Sequence, residues 1–137
     1  MEGYKHIYPL EVRFRDIDSF GHVNNAVIIT YFETARVHYL VELDLRPARA
    51  NVLDLAFIAA HISCDFRRPI FYGQNVTVGS RITEINRSSL RLEHRLEADG
   101  QLAAEGHCIL VHYDYAQQRS VPISSQMRAL IQAFEGS

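Results

Sequence analysis

The sequence feature that most constrains the fold is a largely apolar segment from Asn25 to Leu43. Its main apolar side chains recur at spacings of three and four residues, which is the period of one face of an α-helix. These positions are Ile28, Phe32, Ala35, Tyr39 and Leu43, with Tyr31, Val37 and Val41 widening the stripe. A helix that is apolar around most of its girth is usually enclosed by the rest of its domain. We therefore expect the remaining chain to wrap around a helix spanning about residues 25–43.

The segment before the helix predicts a strand that ends at two acidic residues. Over residues 7–15 the side chains alternate in the manner of a half-buried strand. The predicted inward face consists of Tyr8, Leu10, Val12 and Phe14. Pro9 suits only the start of a strand or an edge strand. The alternation stops at Asp16 and Asp18, where a loop is expected to begin.

The loop that joins this strand to the helix carries polar groups next to the helix N-terminus. Gly21 adopts backbone angles that other residues resist, and Asn24 or Asn25 is a suitable N-cap. A helix N-terminus presents unpaired backbone N–H groups and a partial positive charge. Because Asp18 and His22 belong to the same loop, we expect a carboxylate and an imidazole to face these N–H groups.

The second half of the chain predicts antiparallel strands. Two segments, Ile58–Phe66 and Val76–Thr83, alternate between apolar and polar side chains, and Leu102–Tyr113 is a long strand-like run centred on Ile109, Leu110 and Val111. Residues 89–98 alternate too, and their neighbours favour a strand although their helix propensity is good. Asp99-Gly100 is typical of a tight hairpin turn. Residues 52–60 are almost continuously apolar, and a short helix leading into a strand would fit them.

A short helix is predicted near the end of the chain. Ser124 or Ser125 can cap it, and its apolar positions are Met127, Leu130, Ile131 and Phe134. The element order is then strand, long helix, strand, three strands joined by hairpin-like turns, and terminal helix. This order is typical of an α+β architecture in which one antiparallel β-sheet wraps around one long central α-helix. The 137 residues, 47% of them hydrophobic, suit a single domain spanning 1–137.

Charge and hydropathy exclude two classes of partner. Fourteen basic and sixteen acidic residues give a net charge of −2, and no basic run could neutralise several phosphates of a nucleic acid. No stretch approaches the roughly 18 uncharged apolar residues of a membrane span, and the N-terminal residues lack a signal pattern. We expect a cytoplasmic protein with no membrane partner. Cys64 and Cys108 lie in strand-like runs and are expected to be buried free thiols.

Three motifs in this chain together resemble a known enzyme family. F-R-D-I-D-S-F-G-H-V-N-N occupies residues 14–25, E-T-A-R begins eight positions later, and D-F-R-R-P-I-F-Y-G-Q occupies residues 65–74. Their joint spacing and the element order are similar to those of the hotdog-fold acyl-CoA thioesterases, the 4-hydroxybenzoyl-CoA thioesterase-like family. The resemblance covers essentially the whole chain. It implies a hotdog fold, hydrolysis of an acyl-CoA thioester, and no cofactor, since coenzyme A is part of the substrate.

The resemblance also implies the catalytic groups. In that family the second acid of the D-x-D element, which falls on Asp18 here, acts as nucleophile or as general base, and Asp16 is its neighbour. The oxyanion donor is a backbone N–H at the start of the central helix, which falls at about Asn25. General chemistry agrees, because thioester hydrolysis passes through a tetrahedral oxyanion that preorganised amides stabilise while a carboxylate activates water.

Substrate contacts are expected from a wider set of residues around these two groups. They are Gly21, Val23, Asn24, Ile28, Arg67, Arg68 and Ser89. The two arginines could hold the phosphates of coenzyme A or could be solvated strand residues. Ile28 stands where the family more often has a tyrosine, and Gln74 stands where an acidic residue is common. Because of the first departure, we expect Ile28 to shape the acyl pocket.

Two further sequence features allow both a functional and a structural interpretation, and others disfavour a metal site and a serine or cysteine nucleophile. His22 either orients water or a carboxylate, or is a loop histidine bonded to backbone. Glu33 and Arg36 are three residues apart on the helix, which favours a structural ion pair. His61, His94, His107 and His112 form no helical pair or ligand cluster, so we expect no metal. Neither a G-x-S-x-G elbow nor a reactive cysteine signature is present.

Three functions remain, with acyl-CoA hydrolysis through Asp18 the favoured one. A hotdog hydroxyacyl-thioester dehydratase would need an acid/base pair such as His22 with an aspartate. A non-catalytic acyl-thioester-binding module would need neither a catalytic Asp18 nor an acid/base pair. A sheet wrapped on one helix leaves an edge and a groove that a second subunit can cover. We therefore expect a homodimer or a dimer of dimers, which is a homotetramer.

Overall fold

The computed structural model describes residues 1–49 and 54–136. These residues contain six antiparallel strands and two α-helices. In chain order the elements are β1 (His6–Leu10), a 3-10 turn (Phe14–Asp16), α1 (Asn25–Glu42), β2 (Leu55–Phe66), β3 (Val76–Ile85), β4 (Ser89–Ala98), β5 (Gln101–Asp114), β6 (Arg119–Ser120) and α2 (Ser125–Glu135). The strand order in the sheet is β1-β3-β4-β5-β2, and β6 pairs with the end of β5. The two-residue strand β6 has no counterpart in the sequence prediction.

The long helix α1 lies against one face of this sheet, as the apolar stripe predicted. It begins after Asn24, whose side chain accepts a hydrogen bond from the Ala26 N–H, and Leu43 is its C-cap residue. The predicted inward face is buried along its whole length. Within the described ranges neither helix combines the length and apolar character that a membrane crossing needs. The expectation that a sheet wraps around one long helix is confirmed.

Strands β3 and β4 follow the predicted alternation, and the predicted strand over Leu102–Tyr113 forms most of β5. Every second residue of β4 is buried, and these residues are Leu90, Leu92, His94, Leu96 and Ala98. That period identifies a strand and eliminates the helix alternative for this segment. Asp99 and Gly100 have φ of 50° and 79°, so both residues of the connecting turn lie in the left-handed region. Such a two-residue turn matches the twist of the hairpin it joins.

The prediction of one continuous strand over residues 7–15 is wrong. Strand β1 ends at Leu10, and the chain then forms a 3-10 turn in which Phe14 is 77% exposed. The Asp16 carboxylate accepts a hydrogen bond from the Arg13 backbone N–H at 3.0 Å. An aspartate that bonds a nearby backbone N–H competes with strand pairing. This local bond, which periodicity does not reveal, ends the strand and turns Phe14 outward.

Strand β2 departs from its predicted start and from its predicted face. It begins at Leu55, so residues 55–60 are not helical, whereas residues 52 and 53 of that apolar segment lie outside the described residues. A register shift between Ala59 and His61 interrupts its pairing with β5. Phe57 before the shift and Cys64 after it both pack on the core. A β-bulge adds one residue to a strand and reverses the facing of the residues after it, so the uninterrupted alternation predicted from Ile58 is wrong.

Helix α2 covers the end of the sheet and is tied to α1. Ser124 caps it by accepting a hydrogen bond from the Met127 N–H, as predicted, and Ile131 is its buried residue. Glu135 accepts a hydrogen bond from the Tyr39 hydroxyl at 2.7 Å and another from the Ile82 N–H at 2.7 Å. These two bonds connect the last turn of α2 to both the central helix and the sheet.

A buried histidine lies at the interface between α1 and the sheet. The His94 side chain is 2% exposed, its Nδ1 is 2.9 Å from the Ser80 hydroxyl, and its ring stacks on Phe32. Burial, helped by the nearby positive charge of Arg36, lowers the pKa of His94 to about 3. Its imidazole is therefore neutral in the folded protein at physiological pH.

Because the pKa of His94 is lowered in the folded chain, we expect the free energy of unfolding to fall in mild acid. The unfolded chain binds a proton at His94 below about pH 6.5 while the folded chain does not, so stability present above that pH is lost as the pH falls toward the folded pKa. The loss between pH 7 and pH 5 is expected to be roughly 2 kcal/mol. Urea unfolding of wild type and His94→Asn over this range measures it. The variant should show the shallower pH dependence, and equal dependences would contradict the assignment.

Candidate active site

The first acid of the D-x-D element, Asp16, is buried and fully engaged. Its side chain is 3% exposed, and one of its oxygens accepts from the Tyr31 hydroxyl at 2.6 Å and from the Arg13 N–H at 3.0 Å. The other oxygen accepts from the Arg13 guanidinium at 3.2 Å. Burial alone would raise the pKa of this carboxyl, but the hydrogen bonds from Tyr31 and Arg13 outweigh burial and hold the pKa below its usual range. Asp16 is a structural anchor between the loop and α1.

The second acid, Asp18, is half-buried and less engaged. Its Oδ1 accepts from the Phe20 N–H at 2.9 Å, and its Oδ2 accepts from the Asn24 side-chain amide at 3.2 Å. An ionised carboxylate offers about four acceptor positions, so each oxygen of Asp18 keeps one free. Of the two acids, Asp18 is therefore the one that can also bind water or meet a carbonyl carbon.

A tight loop turn orients Asp18. Its N–H donates to the His22 carbonyl at 3.1 Å, and its own carbonyl accepts from the Gly21 N–H at 3.0 Å. Gly21 has φ of 86°, a left-handed backbone conformation that favours glycine. The predicted role of Gly21 as a turn residue is confirmed by this geometry.

The first turn of α1 leaves one backbone N–H available beside Asp18. The Asn24 side-chain oxygen accepts from the Ala26 N–H at 2.8 Å, while its backbone carbonyl accepts from Val27 and Ile28. Within residues 1–49 and 54–136, the Asn25 N–H has no hydrogen-bond acceptor. Because the Asn24 amide also donates to Asp18, a single side chain joins the carboxylate to the helix turn that carries this free N–H.

A groove of about 290 Å³ opens between this helix turn and the segment after β2. Eight residues line it: His22, Val23, Asn25, Ile28, Phe66, Arg67, Arg68 and Pro69. Six of them are residues that the sequence nominated, and the structure brings them together. Phe66 and Pro69 were missed as functional residues, although both belong to the D-F-R-R-P-I-F-Y-G-Q motif. The helix N-terminus and the motif after β2 therefore form opposite parts of one site.

Four nominated residues do not line this groove. Asp18, Gly21 and Asn24 belong to the adjoining loop and connect to the groove through hydrogen bonds at the start of α1. Ser89 begins β4 at the opposite end of the sheet, where it pairs with Val111 and its carbonyl accepts from the Asn86 N–H at 2.8 Å. Within one chain Ser89 is remote from the groove.

His22 makes a backbone contact rather than an acid/base pair. Its Nδ1 lies 3.3 Å from the Val23 carbonyl oxygen, and its ring lies between Phe20 and Phe71. Within the described chain His22 has no hydrogen bond to an aspartate. The geometry corresponds to the second of the two interpretations of this histidine, a loop residue bonded to backbone.

The two arginines at the groove are exposed and differ in their partners. Arg67 is shared between Glu105 at 3.3 Å and Asp65 at 3.6 Å, whereas Arg68 donates to the Gln101 side chain at 2.9 Å. Both backbone N–H groups donate to the Ala103 carbonyl, which fixes the turn after β2. Arg68 lacks a carboxylate partner among the described residues, so its charge is available to an anion.

Other candidate groups are unsuited to the chemistry of this groove. Burial raises the pKa of the Cys64 thiol to about 11, and burial also raises the pKa of Cys108, so neither supplies a thiolate near neutral pH. A larger depression of about 710 Å³ lies elsewhere, on the sheet, among charged side chains such as Arg81, Glu93 and Arg95. Size alone does not identify the active site here, because neither Asp18 nor Asn25 lines this depression.

Among the described residues, the one cluster of three potential metal ligands lies outside the groove. His6, His38 and Glu42 converge where β1 meets the second half of α1. The sequence expectation of no metal considered four other histidines and did not include this group. The sequence pattern that could have identified part of this group is the four-residue spacing of His38 and Glu42 on one helix.

Comparisons with known proteins identify the family of this chain. Residues 12–131 match the thioesterase-like superfamily. The long-chain acyl-CoA thioesterase FadM of Escherichia coli K12 is 28% identical over 122 residues, which are 87% of this chain and 91% of FadM. A thioesterase of Thermus thermophilus, crystallised in complex with coenzyme A and Zn, is 40% identical, with a TM-score of 0.86 over 100% of this chain and 99% of that one. The gentisyl-coenzyme A thioesterase BH1999 is 26% identical, with a TM-score of 0.83 over 91% and 98%.

The fold and these relatives define a thioester hydrolase of the hotdog fold. The chain belongs to the thioesterase-like superfamily. This membership confirms the family resemblance and favours hydrolysis over the dehydratase and the non-catalytic alternatives.

The contrast between the two acids predicts different consequences of the same substitution. Asp16→Asn places an amide donor against the donors from Tyr31 and Arg13 and should cost about 1–3 kcal/mol of unfolding free energy at pH 7. Because the folded pKa of Asp16 is depressed, its contribution is present above about pH 4 and is lost as the pH falls through the folded value. Urea unfolding at pH 7 and at about pH 3.5 measures both effects. Asp18→Asn, the matched control, should change stability by no more than about 0.5 kcal/mol.

Proposed function

We propose that this protein hydrolyses an acyl-CoA thioester to the free acid and coenzyme A, using Asp18 and the start of α1. One observation carries the proposal. The Asn24 side chain bonds both the Asp18 carboxylate and the Ala26 N–H, so that carboxylate is tied to the helix turn whose first N–H has no acceptor in the described chain. Thioester hydrolysis needs this pairing of a basic oxygen with an oxyanion donor.

The chemistry follows from what each group offers. The thioester carbonyl oxygen accepts from the Asn25 N–H at the positive end of the α1 dipole, which stabilises the negative charge that develops on that oxygen. Asp18 either removes a proton from the water that attacks the carbonyl carbon, or attacks that carbon itself. In both routes the C–S bond breaks and the thiolate of coenzyme A leaves. In the second route water then hydrolyses the aspartyl anhydride, which releases the acid and restores Asp18. One oxyanion donor of this kind is worth about 3 kcal/mol of transition-state stabilisation.

The groove supports an acyl-CoA as the substrate class. Val23, Ile28 and Phe66 form an apolar wall for the acyl group, and Arg67 and Arg68 lie where phosphates of coenzyme A could bind. Relatives named above act on long-chain acyl-CoA and on gentisyl-coenzyme A. Ile28 lies one turn into the helix from Asn25, next to the carbonyl position, and we propose that it helps to select the acyl group.

We also propose a homodimer formed through the free edge of β2. This strand pairs with β5 on one side, and its twelve residues include Leu55, Ile62 and Phe66 with large exposed apolar side chains. The opposite edge strand, β1, has five residues and contains Pro9, both features that oppose edge pairing. Because β2 ends at the groove, an antiparallel copy of β2 would lie beside it and extend its wall.

Antiparallel pairing would also allow Ser89 to contact the substrate bound in the groove of the other subunit. The far end of one sheet would approach the groove of the other subunit, so a contact from Ser89 would come from the partner chain. Pairing of two such dimers would give the dimer of dimers. The depression on the sheet is the charged surface that a second dimer would have to cover.

The proposed role of Asp18 predicts a loss of turnover without a loss of folding. Asp18→Asn should lower kcat at least about 100-fold on the best substrate of an acyl-CoA panel, because a positioned base contributes about 10²–10⁴-fold. Thiol release measures the rate, and circular dichroism checks the fold. Asp65→Asn, an exposed aspartate paired with Arg67 near the groove, removes the same charge and should change kcat less than about threefold.

Two results would contradict this assignment. Turnover of Asp18→Asn near that of wild type would show that Asp18 has no part in the mechanism. An equal loss of kcat in Asp65→Asn would show that the effect comes only from the change in net charge. Hydration of an enoyl-CoA without thiol release would identify a dehydratase, and binding of acyl-CoA without either reaction would identify a binding module.

The proposed interface predicts that only one sheet edge controls assembly. Ile62→Lys on β2 places an ammonium on each side of the dimer axis and should raise the dimer dissociation constant on the order of 100-fold. Ile7→Lys on β1 is the matched control, since Ile7 and Ile62 are 43% and 46% exposed. Sedimentation velocity over a concentration series measures both. An active wild-type monomer at micromolar concentration, or equal weakening by the two variants, would exclude the β2 interface.

A further inference from the structure

We propose that His6, His38 and Glu42 form a binding site for one divalent transition-metal ion of the zinc class. The site joins β1 to the second half of α1. His38 lies thirteen residues after Asn25 on the same helix, which is about 20 Å along its axis. The site is therefore separate from the thioesterase groove, and its occupancy does not depend on the proposed function of that groove.

Three potential ligand atoms converge at this place. Glu42 Oε2 is 3.0 Å from His6 Nε2, His38 Nδ1 is 3.4 Å from His6 Nε2, and His38 Nδ1 is 3.9 Å from Glu42 Oε2. Zinc bonds to nitrogen and oxygen are about 2.0–2.2 Å long, so two ligands of a tetrahedral ion lie about 3.3 Å apart. The observed separations lie on both sides of this value. A small adjustment of two side chains would therefore place all three ligand atoms at bonding distance from one ion.

The backbone supplies this geometry from two elements. His38 and Glu42 are four residues apart and share one face of α1. His6 belongs to β1, and its ring also packs against Tyr39 with a centroid distance of 5.1 Å. Tyr8 packs on the His38 ring from the same strand at 4.3 Å. Packing of this kind restricts the ring orientations, and preorganised rings are what a metal site requires.

His6 presents its Nε2 atom to the other two side chains. It is 3% exposed, and within residues 1–49 and 54–136 its Nδ1 has no hydrogen-bond partner, so Nε2 makes its polar contacts. A carboxylate and two imidazoles form a donor set that binds zinc, whereas calcium and magnesium take oxygen ligands.

The remaining coordination position faces solvent. His38 and Glu42 are both exposed over about half of their surface, with side-chain values of 49% and 54%. Three protein ligands with an open position bind a metal reversibly and leave room for water. The ion would fasten the short edge strand β1 to the central helix, because its ligands come from both elements.

Titration of metal-free protein without a histidine affinity tag tests the proposal. Calorimetry with Zn²⁺ should give one ion per chain with a micromolar or lower dissociation constant, and saturating Zn²⁺ should raise Tm by at least about 5 °C. His38→Ala and Glu42→Gln should each weaken binding at least about 100-fold, since even outer-shell changes cost 10–100-fold. Ca²⁺ should produce neither effect.

The chain offers a matched control for weak binding to surface histidines. His107 lies beside His61 with a centroid distance of 5.1 Å, a histidine pair away from Glu42. His107→Ala should leave the Zn²⁺ affinity unchanged. Co²⁺ should give the intense visible absorption of a tetrahedral site in wild type and in His107→Ala, and His38→Ala should abolish it.

Three outcomes would overturn the proposal. They are no Zn²⁺ binding at micromolar concentration, unchanged affinity in both His38→Ala and Glu42→Gln, and loss of binding in His107→Ala alone. Thiol release from the preferred acyl-CoA should be retained in His38→Ala, which shows that the variant is folded. That measurement also separates a failure of the metal site from a failure of the proposed hydrolase function.

Discussion

The rest of the structure depends on the burial of one carboxylate, that of Asp16. Its oxygens accept from Tyr31 of α1 and from Arg13 of the preceding turn, and its backbone carbonyl accepts from the Asn24 N–H at 3.0 Å. An isolated buried charge would cost several kcal/mol, so Asp16 remains in this position only because all of these donors surround it. One residue thereby determines where β1 stops, how the loop turns and where α1 begins.

A second constraint acts at the middle of the helix. The core consists of two apolar clusters, one around Phe32 and one around Tyr39. Between them a row of polar partners crosses the sheet, with His6 opposite Ser80, Ser80 opposite His94, and His94 opposite Gly106. A shift of α1 by one turn would separate the buried His6 from His38 and Glu42 and leave its imidazole without polar partners, which is costly in a low-dielectric interior. The polar row thus favours a single register of helix on sheet.

Side-chain periodicity made most of the fold predictable, and the errors come from hydrogen bonds and bulges that periodicity does not show. The inward face of α1 and the alternation of β4 depend on side-chain period alone, so sequence predicted both. Strand β1 ends early because the Asp16 carboxylate bonds the Arg13 N–H, and a bulge after Ala59 interrupts the pairing of β2 with β5. At the candidate site the family pattern nominated most groove residues. His6 was missed because its partners His38 and Glu42 lie more than thirty residues away in sequence.

The single-residue spacing of the two acids gives them different roles. Asp16 has three hydrogen bonds and almost no solvent exposure, so its oxygens cannot meet a substrate. Asp18 has two hydrogen bonds, one of them from Asn24, which also caps the helix. The carboxylate and the Asn25 N–H are thus held by the same side chain, and a movement of the helix start carries both groups together. Reaction geometry tolerates errors of well under 1 Å. A shared support of this kind would therefore preserve the relation that the proposed hydrolysis requires, and it leaves two acceptor positions of Asp18 free.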